Sequence, residues 1–235
     1  MKLAAGILEL QAVESTQDVA QRLLQEGDTE IGVVWALDQK AGRGRFQREW
    51  VSSPGDSLTL SFVLRDYSTL SEPWLAGMMV ALAVAGAFHT QIRWPNDLTI
   101  KRKKVGGVLT ELLTDKDGVR VPVVGVGVNL NQLAFPEPLD GIATSLKLER
   151  GHDVDPTEAM HKLVAAVRSM PEPTDWYVLQ PIWQIFDDTP GKSYELATGE
   201  KAVALGVGSD GHLICAVEGE TQSVMAADAI FSPHS

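Results

Sequence analysis

The sequence predicts an α+β protein: a mixed β-sheet flanked by helices, followed by a small C-terminal β-barrel. Three observations carry that expectation. Short strands follow one another through turns across residues 92–129, too closely for strict alternation with helices. Helical stretches stand at both ends of that series, at 72–90 and 156–170. From Thr189 onwards short strands recur, punctuated by Gly199, Gly208, Gly211 and Gly219, which is the pattern of a small barrel.

The individual elements follow in order. Residues 7–13 alternate weakly and give a first strand. Ser15 and Thr16 offer N-cap hydroxyls, and Asp18 stands three residues after Ser15 as in a capping box. Val19 with Leu23 and Ala20 with Leu24 then repeat at helical spacing until Gly27 closes the helix. Residues 31–37 and 57–64 read as strands on either side of a polar, glycine-rich loop at 39–48. After the apolar helix at 72–90 come a strand at 92–94, a turn at Pro95-Asn96-Asp97, and a strand at 98–100. The basic turn 101–104 leads into strands at 105–113 and 119–129. Pro171 and Pro173 break the chain after the helix at 156–170. The tail strands fall at 194–196, 202–207, 213–217 and 222–225, and we place the domain boundary between residues 187 and 188.

Composition excludes several classes. With 44% hydrophobic and 22% charged residues in 235, the chain is ordinary globular material, neither disordered nor fibrous. A formal charge of −11 repels nucleic acid, so a polyanion could bind only at a local basic patch. The single cysteine, Cys215, rules out an intrachain disulfide and a cysteine zinc site, and its alternating surroundings mark it as a buried small hydrophobe. His89, His152, His161, His212 and His234 have no ligand spacing, so no protein metal site is expected. Glu9 interrupts the N-terminal apolar stretch, so no signal peptide is expected. The longest apolar run, 75–88, is shorter than a membrane span of about 20 residues. The expected location is cytoplasmic, with no membrane partner.

Two motif matches fail on context. Gly191-Lys192-Ser193 ends like a phosphate-binding Walker loop, but the glycine such a loop needs at 186 is Phe186. Residues 206–211 satisfy a dinucleotide-binding string, yet a strand follows where the mechanism needs a helix N-terminus, and Asp210-Gly211 reads as a hairpin turn.

The surviving feature is the loop Gly42-Arg43-Gly44-Arg45. Residues 39–48 carry four basic side chains and no acid, and Lys101-Arg102-Lys103-Lys104 adds four more. On charge alone, two solvated surface loops explain this equally well. The glycines favour a ligand, because they let the backbone approach closely while guanidinium groups supply forked donors to phosphate or carboxylate. Three further elements accompany the loop: Trp94-Pro95-Asn96-Asp97, Gly106-Gly107 inside a strand, and Gly125-Val126-Gly127-Val128-Asn129.

In this order the motifs resemble those of the biotin–protein ligases. The resemblance rests on Ser15-Thr16-Gln17, the 42–45 loop followed by Trp50, Trp94 to Asp97, Lys104 to Leu109 with Glu111, and Gly125 to Asn129. It spans residues 7–150, and the glycine-rich tail is similar to the family's SH3-like C-terminal domain. The resemblance implies activation of biotin by MgATP to biotinyl-5′-AMP, then transfer to a lysine of a biotin carboxyl carrier protein. By the same resemblance Lys104, Arg45 and Asp97 are the catalytic candidates. Ser15, Thr16, Gln17, Gln39, Arg43, Gly44, Arg45, Lys104, Gly106 and Gly107 would hold biotin. Arg43, Arg45, Trp50, Asn96, Lys104 and Asn129 would hold ATP, which carries its own Mg²⁺. Ser15 stands too early for a helix-turn-helix to precede it, so the short form without DNA binding is expected; a homodimer is one assembly the analogy allows. A lipoate or octanoate ligase on the same fold, and a biotin-binding protein without turnover, are the competing readings.

Overall fold

The computed structural model describes residues 3–50 and 53–231. Strand β1 (Gly6–Val13), helix α1 (Thr16–Glu26) and strand β2 (Ile31–Gln39) open the chain. Two short strands, β3 (Gly42–Arg43) and β4 (Glu49–Trp50), lead to β5 (Ser57–Val63) and helix α2 (Trp74–Phe88). Then come β6 (Gln91–Arg93), β7 (Asp97–Ile100), β8 (Lys103–Thr114) and β9 (Arg120–Asn129). Helices α3 (Leu146–Arg150), α4 (Pro156–Arg168) and α5 (Trp176–Phe186) precede the tail strands. These are β10 (Ser193–Leu196), β11 (Lys201–Val207), β12 (Leu213–Val217), β13 (Glu220–Val224) and β14 (Ala229–Phe231).

The seven-stranded main sheet has the order β1-β2-β5-β9-β8-β7-β6. Only β1–β2 is parallel; the other pairs are antiparallel, so the sheet is mixed as expected. Alternation along β2 serves two cores at once. Val34 joins Val19, Ala20 and Leu24 of α1 on one face, while Val33 and Trp35 join the apolar helix α2 on the other. Nearly every residue of α2 is buried, because it runs between the sheet and helices α4 and α5. Among the described residues no helix is long and apolar enough to cross a membrane.

Several local expectations need correction. Ser15 is the N-cap of α1, but its hydroxyl makes no capping bond. Gln39, arriving at the end of β2, accepts the Thr16 N–H at 2.9 Å, so a distant amide performs the cap and no Ser15–Asp18 box forms. The prolines at 171 and 173 do separate helices, but α5 follows them, capped by Asp175, whose carboxylate accepts from Val178 N at 3.2 Å. Pro181 lies inside α5 and hid it from a reading based on breakers. The 101–104 segment is a tighter turn than expected: only Lys101 and Arg102 turn, both at positive φ (48° and 71°), and Lys103 already begins β8.

The C-terminal strands form a five-stranded antiparallel sheet in the order β13-β12-β11-β10-β14. Its edge strands β13 and β14 do not pair with each other among the described residues, so hydrogen bonding leaves this sheet open. Residues 208–211 are the β11–β12 hairpin turn, as the failed dinucleotide match required. Cys215, on β12, is fully buried, as its alternating surroundings suggested.

This sheet is tied to the main one at Trp94. The Trp94 N–H donates to Thr189 Oγ1 at 2.9 Å, its indole Nε1 donates to Gly211 O at 2.9 Å, and the Tyr194 hydroxyl donates to Trp94 O at 2.7 Å. Both aromatic rings are fully buried and meet edge to face, 5.8 Å apart. Tyr194→Phe leaves the Trp94 carbonyl without this donor. We expect it to cost about 1–2 kcal/mol in urea unfolding, with the protein otherwise folded.

Candidate functional site

Thirteen of the fourteen residues singled out from the sequence line one cavity of about 570 Å³. Its walls come from the start of α1 (Ser15, Thr16, Gln17), the end of β2 (Gln39), the β3–β4 loop and the β6–β7 turn. Strands β8 and β9 contribute Lys104, Gly107, Gly127 and Asn129. Gly106 is the exception. On a strand neighbours face opposite ways, and a Cβ at Gly106 would lie 2.5 Å from Gly127 O: this glycine lets β8 approach β9 and does not line the cavity.

Glycine also shapes the opposite face of the same strands. Gly107 stands opposite Gly127 in the β8–β9 ladder, and a Cβ at Gly127 would meet the Trp50 ring at 2.6 Å. The indole of Trp50 therefore lies directly on backbone. Its Nε1, buried, has no hydrogen-bond partner.

The neutral wall is polar and buried. Gln39 Oε1 accepts from both Thr16 N and Thr16 Oγ1, and Thr16 Oγ1 also meets Ser61 Oγ at 2.8 Å. Gln17 donates from Nε2 to Glu111 Oε2 at 2.7 Å, which leaves its buried Oε1 without a donor. An orphaned acceptor beside a cavity is a place for a ligand N–H.

The cationic wall is more heavily paired than the sequence suggested, because its acids come from elsewhere in the chain. Arg43 donates two bonds to Asp18, at 2.7 and 3.2 Å; this hydrogen bonding, set against partial burial, raises its already high pKa. Arg45 donates to the carbonyl of Ala226, reaching the C-terminal segment. Burial lowers its pKa while Asp97 opposes the shift, and the guanidinium stays charged. Lys101, though in the basic cluster, pairs with Glu149 at 2.9 Å and lies away from the cavity lining.

Asp97 is the centre of this wall. Lys104 Nζ reaches its Oδ1 at 2.6 Å and Arg93 reaches its Oδ2 at 2.8 Å. Burial alone would raise the Asp97 pKa, but the charges and hydrogen bonds of Lys104 and Arg93 together outweigh it and hold the carboxyl below its ordinary value. Its folded pKa is thus below the unfolded one. The pair contributes stability above the unfolded value of about 3.9, lost as pH falls through the lower folded value. Asp97→Asn would leave two cations without their counter-charge. We expect it to cost at most about 3 kcal/mol in urea unfolding near neutrality, less than a fully buried pair because Lys104 is partly solvated, and to flatten the acid limb of stability.

Two amides have structural partners. Asn96 Nδ2 donates to Val108 O at 3.0 Å, pinning the turn to β8, and Asn129 Nδ2 donates to Thr144 O at 3.0 Å. Lys104 shares backbone bonds with Ile142 and Thr144, so the segment carrying Leu139, Ile142 and Ala143 is laid along the cavity. Sequence reasoning missed that segment, which has no periodicity or motif. It also missed Arg93, Ile230 and Phe231, and set aside Lys192 and Ser193 as the end of a failed Walker string. Arg93 directly precedes the Trp94 motif, and that adjacency was the one available signal.

With this geometry in hand, known proteins are informative. Residues 9–129 match the model of the biotin/lipoate A/B protein ligase family. The bifunctional ligase/repressor BirA of Bacillus subtilis is 38% identical over 151 residues, which cover 61% of this chain and 46% of that protein. The chain thus spans less than half of the length of that relative. The biotin–[acetyl-CoA-carboxylase] ligase of Paracoccus denitrificans is 31% identical over 219 residues, 85% of this chain and 91% of that protein. Biotin protein ligase from Aquifex aeolicus, solved in complex with biotin and ATP, superposes with a TM-score of 0.75 at 26% identity, covering 97% of this chain and 99% of that one. The family match runs from within β1 to the end of β9 and so takes in the cavity walls those strands carry. The chain belongs to the biotin/lipoate A/B protein ligase family.

Proposed function

We propose that the chain is a biotin–protein ligase that forms biotinyl-5′-AMP from biotin and MgATP and passes biotin to a lysine of a biotin carboxyl carrier protein. The observation that carries this reading is one cavity joining a neutral polar wall to a wall of fixed cations. The relatives named for this activity, and the Aquifex complex with biotin and ATP, support the same substrates.

In the first step a carboxylate oxygen of biotin attacks the α-phosphorus, and the bond to pyrophosphate breaks. Nucleophile and electrophile are both anionic, so the chain must offset their repulsion. Lys104, Arg43 and Arg45 are suited to that work, because fixed cations need no reorganisation as charge develops. In the second step the acceptor amine attacks the acyl carbon, and AMP leaves. Asp97 holds Lys104 in place and is the candidate to orient the incoming amine. On the neutral wall the orphaned Gln17 Oε1 suits a ureido N–H, with Ser15, Thr16, Gln39, Gly44 and Gly107 around it. Trp50, Asn96 and Asn129 are assigned to the nucleotide.

Mg²⁺ enters as the counter-ion of ATP. Asp97, a carboxylate of the cavity wall, is held by Lys104 and Arg93, so in this reading the ion is carried by the phosphates. We assign residues 1–187 to the chemistry and 188–235 to a second, SH3-like unit that lends Lys192, Ser193 and Phe231 to the cavity. The work is cytoplasmic in this reading, with no DNA partner, and a homodimer is compatible with it.

Pyrophosphate release measured with ATP and biotin, then with ATP and lipoate, tests the assignment. Biotin-dependent release is expected; turnover of lipoate without biotin would overturn it.

A further inference from the structure

One buried cation in the cavity wall is unused by the chemistry above. Arg93 is 4% exposed and ends β6. It donates to Asp97 Oδ2 at 2.8 Å and to Arg102 O at 3.5 Å. Its guanidinium carbon lies 3.5 Å from the centre of the Phe231 ring, so the C-terminal sheet covers its face. Arg93 Nε is buried without a hydrogen-bond partner. Keeping such a cation out of water is costly unless its charge is answered.

The answer is Asp97, but Asp97 is shared. Its two oxygens receive one cation each, Arg93 on Oδ2 and Lys104 on Oδ1. Two positive charges against one negative leave the group with a surplus of one positive charge at the cavity wall. Were residue 93 neutral, Lys104 and Asp97 would cancel each other, and Lys104 would present a compensated pair to anionic substrates. Arg93 is too deeply buried to be the group that faces them, whereas Lys104 is 36% exposed.

We propose that Arg93 is a positioning residue of the adenylating site: by occupying half of the Asp97 carboxylate it leaves Lys104 with net charge for biotin carboxylate and α-phosphate. The inference rests on the ligase reading given above. Phe231 enters as the clamp, since its ring covers one face of the guanidinium.

Asp97 is faced by Arg93 from β6, Lys104 from β8, Arg45 from the β3–β4 loop and Tyr194 from β10, and the carboxylates of Asp187 and Asp188, which follow α5, act on the same Tyr194 phenol. Burial raises the Tyr194 phenol far above neutrality, so it stays uncharged. Removing Arg93 therefore takes away one of two cations in direct contact with Asp97, and the carboxyl should take up its proton at a higher pH.

The test compares the full chain with Arg93→Gln and Arg93→Lys in biotin-dependent pyrophosphate release from MgATP, with kcat, both KM values, a pH profile and a thermal midpoint for each. Gln keeps a hydrogen bond to Asp97 without charge; Lys keeps the charge. Arg93→Gln is expected to lower kcat by about tenfold or more, to leave the biotin KM within about threefold, and to move the acid limb of its pH profile to a higher pH than the parent's, because a protonated Asp97 no longer fixes Lys104 in place. Arg93→Lys is expected to recover kcat to within about fivefold. A folded Gln variant with parental kcat and an unmoved acid limb overturns the proposal. So do Gln and Lys variants equally impaired with unmoved acid limbs, which would assign Arg93 to packing against Phe231. If Arg93→Gln does not fold, Arg93→Lys decides: parental kcat supports the proposal, and a tenfold loss at an unchanged thermal midpoint overturns it. A parent without biotin-dependent release sinks the ligase reading instead; the coupling of Arg93 to Asp97 is then still read from the acid limb of thermal unfolding, which Arg93→Gln should move and a packing role would not.

Discussion

Lys104→Ala should reduce biotin-dependent pyrophosphate release by about 10²–10³-fold, the scale on which loss of one preorganised charge-stabilising group acts. The residue is placed for that effect. Its backbone is bonded on both sides to the 142–144 segment, and its ammonium is 2.6 Å from Asp97, so neither end is free to drift. A lysine is a compact point charge, able to sit between a carboxylate and a phosphate that must approach each other. Asp97 keeps Arg93 after the substitution, so no buried carboxylate is stranded and the protein should remain folded. The loss should therefore appear in kcat, with the thermal midpoint little changed. Near-parental formation of biotinyl-AMP would remove Lys104 from its role.

The second large effect is expected from one added methyl group. In Gly127→Ala the new Cβ would lie 2.6 Å and 2.7 Å from Trp50 Cε2 and Cζ2. Gly127 is paired to Gly107 on one side and Thr59 on the other, so the central strand cannot retreat. The ring must move instead, and β4, which carries it, pairs among the described residues with β3 alone. Displacing Trp50 changes the cavity wall assigned to the nucleotide. We expect the ATP KM to rise about tenfold or more, and stability to fall by about 1–3 kcal/mol from overpacking. The cycle with Trp50→Ala separates cause from coincidence: in the absence of the ring, the same methyl should cost less. A Gly127→Ala variant with parental KM and midpoint would show that the close approach of ring to backbone is unimportant.

The main sheet was legible because its strands are β-branched and its turns carry Gly, Pro, Asn and Asp. The site was legible because cations and glycines leave a mark in sequence. What escaped lies in pairing at long range. Arg43 stands beside no acid in sequence, yet α1 brings Asp18 to it; Asp97 serves Arg93 and Lys104 from two strands at once. Ser15 carries the hydroxyl of an N-cap, but Gln39, 23 residues on from Thr16, delivers the cap. Gly106 and Gly107 look equivalent in sequence, and only the strand's alternation tells the packing glycine from the cavity glycine. Helix α5 was hidden by Pro181, tolerated inside a helix whose buried face includes Trp176, Leu179 and Trp183. The tail's strands were legible from their glycines, but not the contacts of Trp94, Tyr194 and Phe231 that make their sheet part of the wall around Arg93.

The most direct measurement is the mass of a biotin carboxyl carrier domain after incubation with this protein, biotin and MgATP. Addition of one biotinyl group to a single lysine, absent without ATP and lost in the Lys104→Ala variant, is the predicted result. An unmodified carrier domain in the presence of all components, or modification that Lys104→Ala leaves intact, would contradict the account.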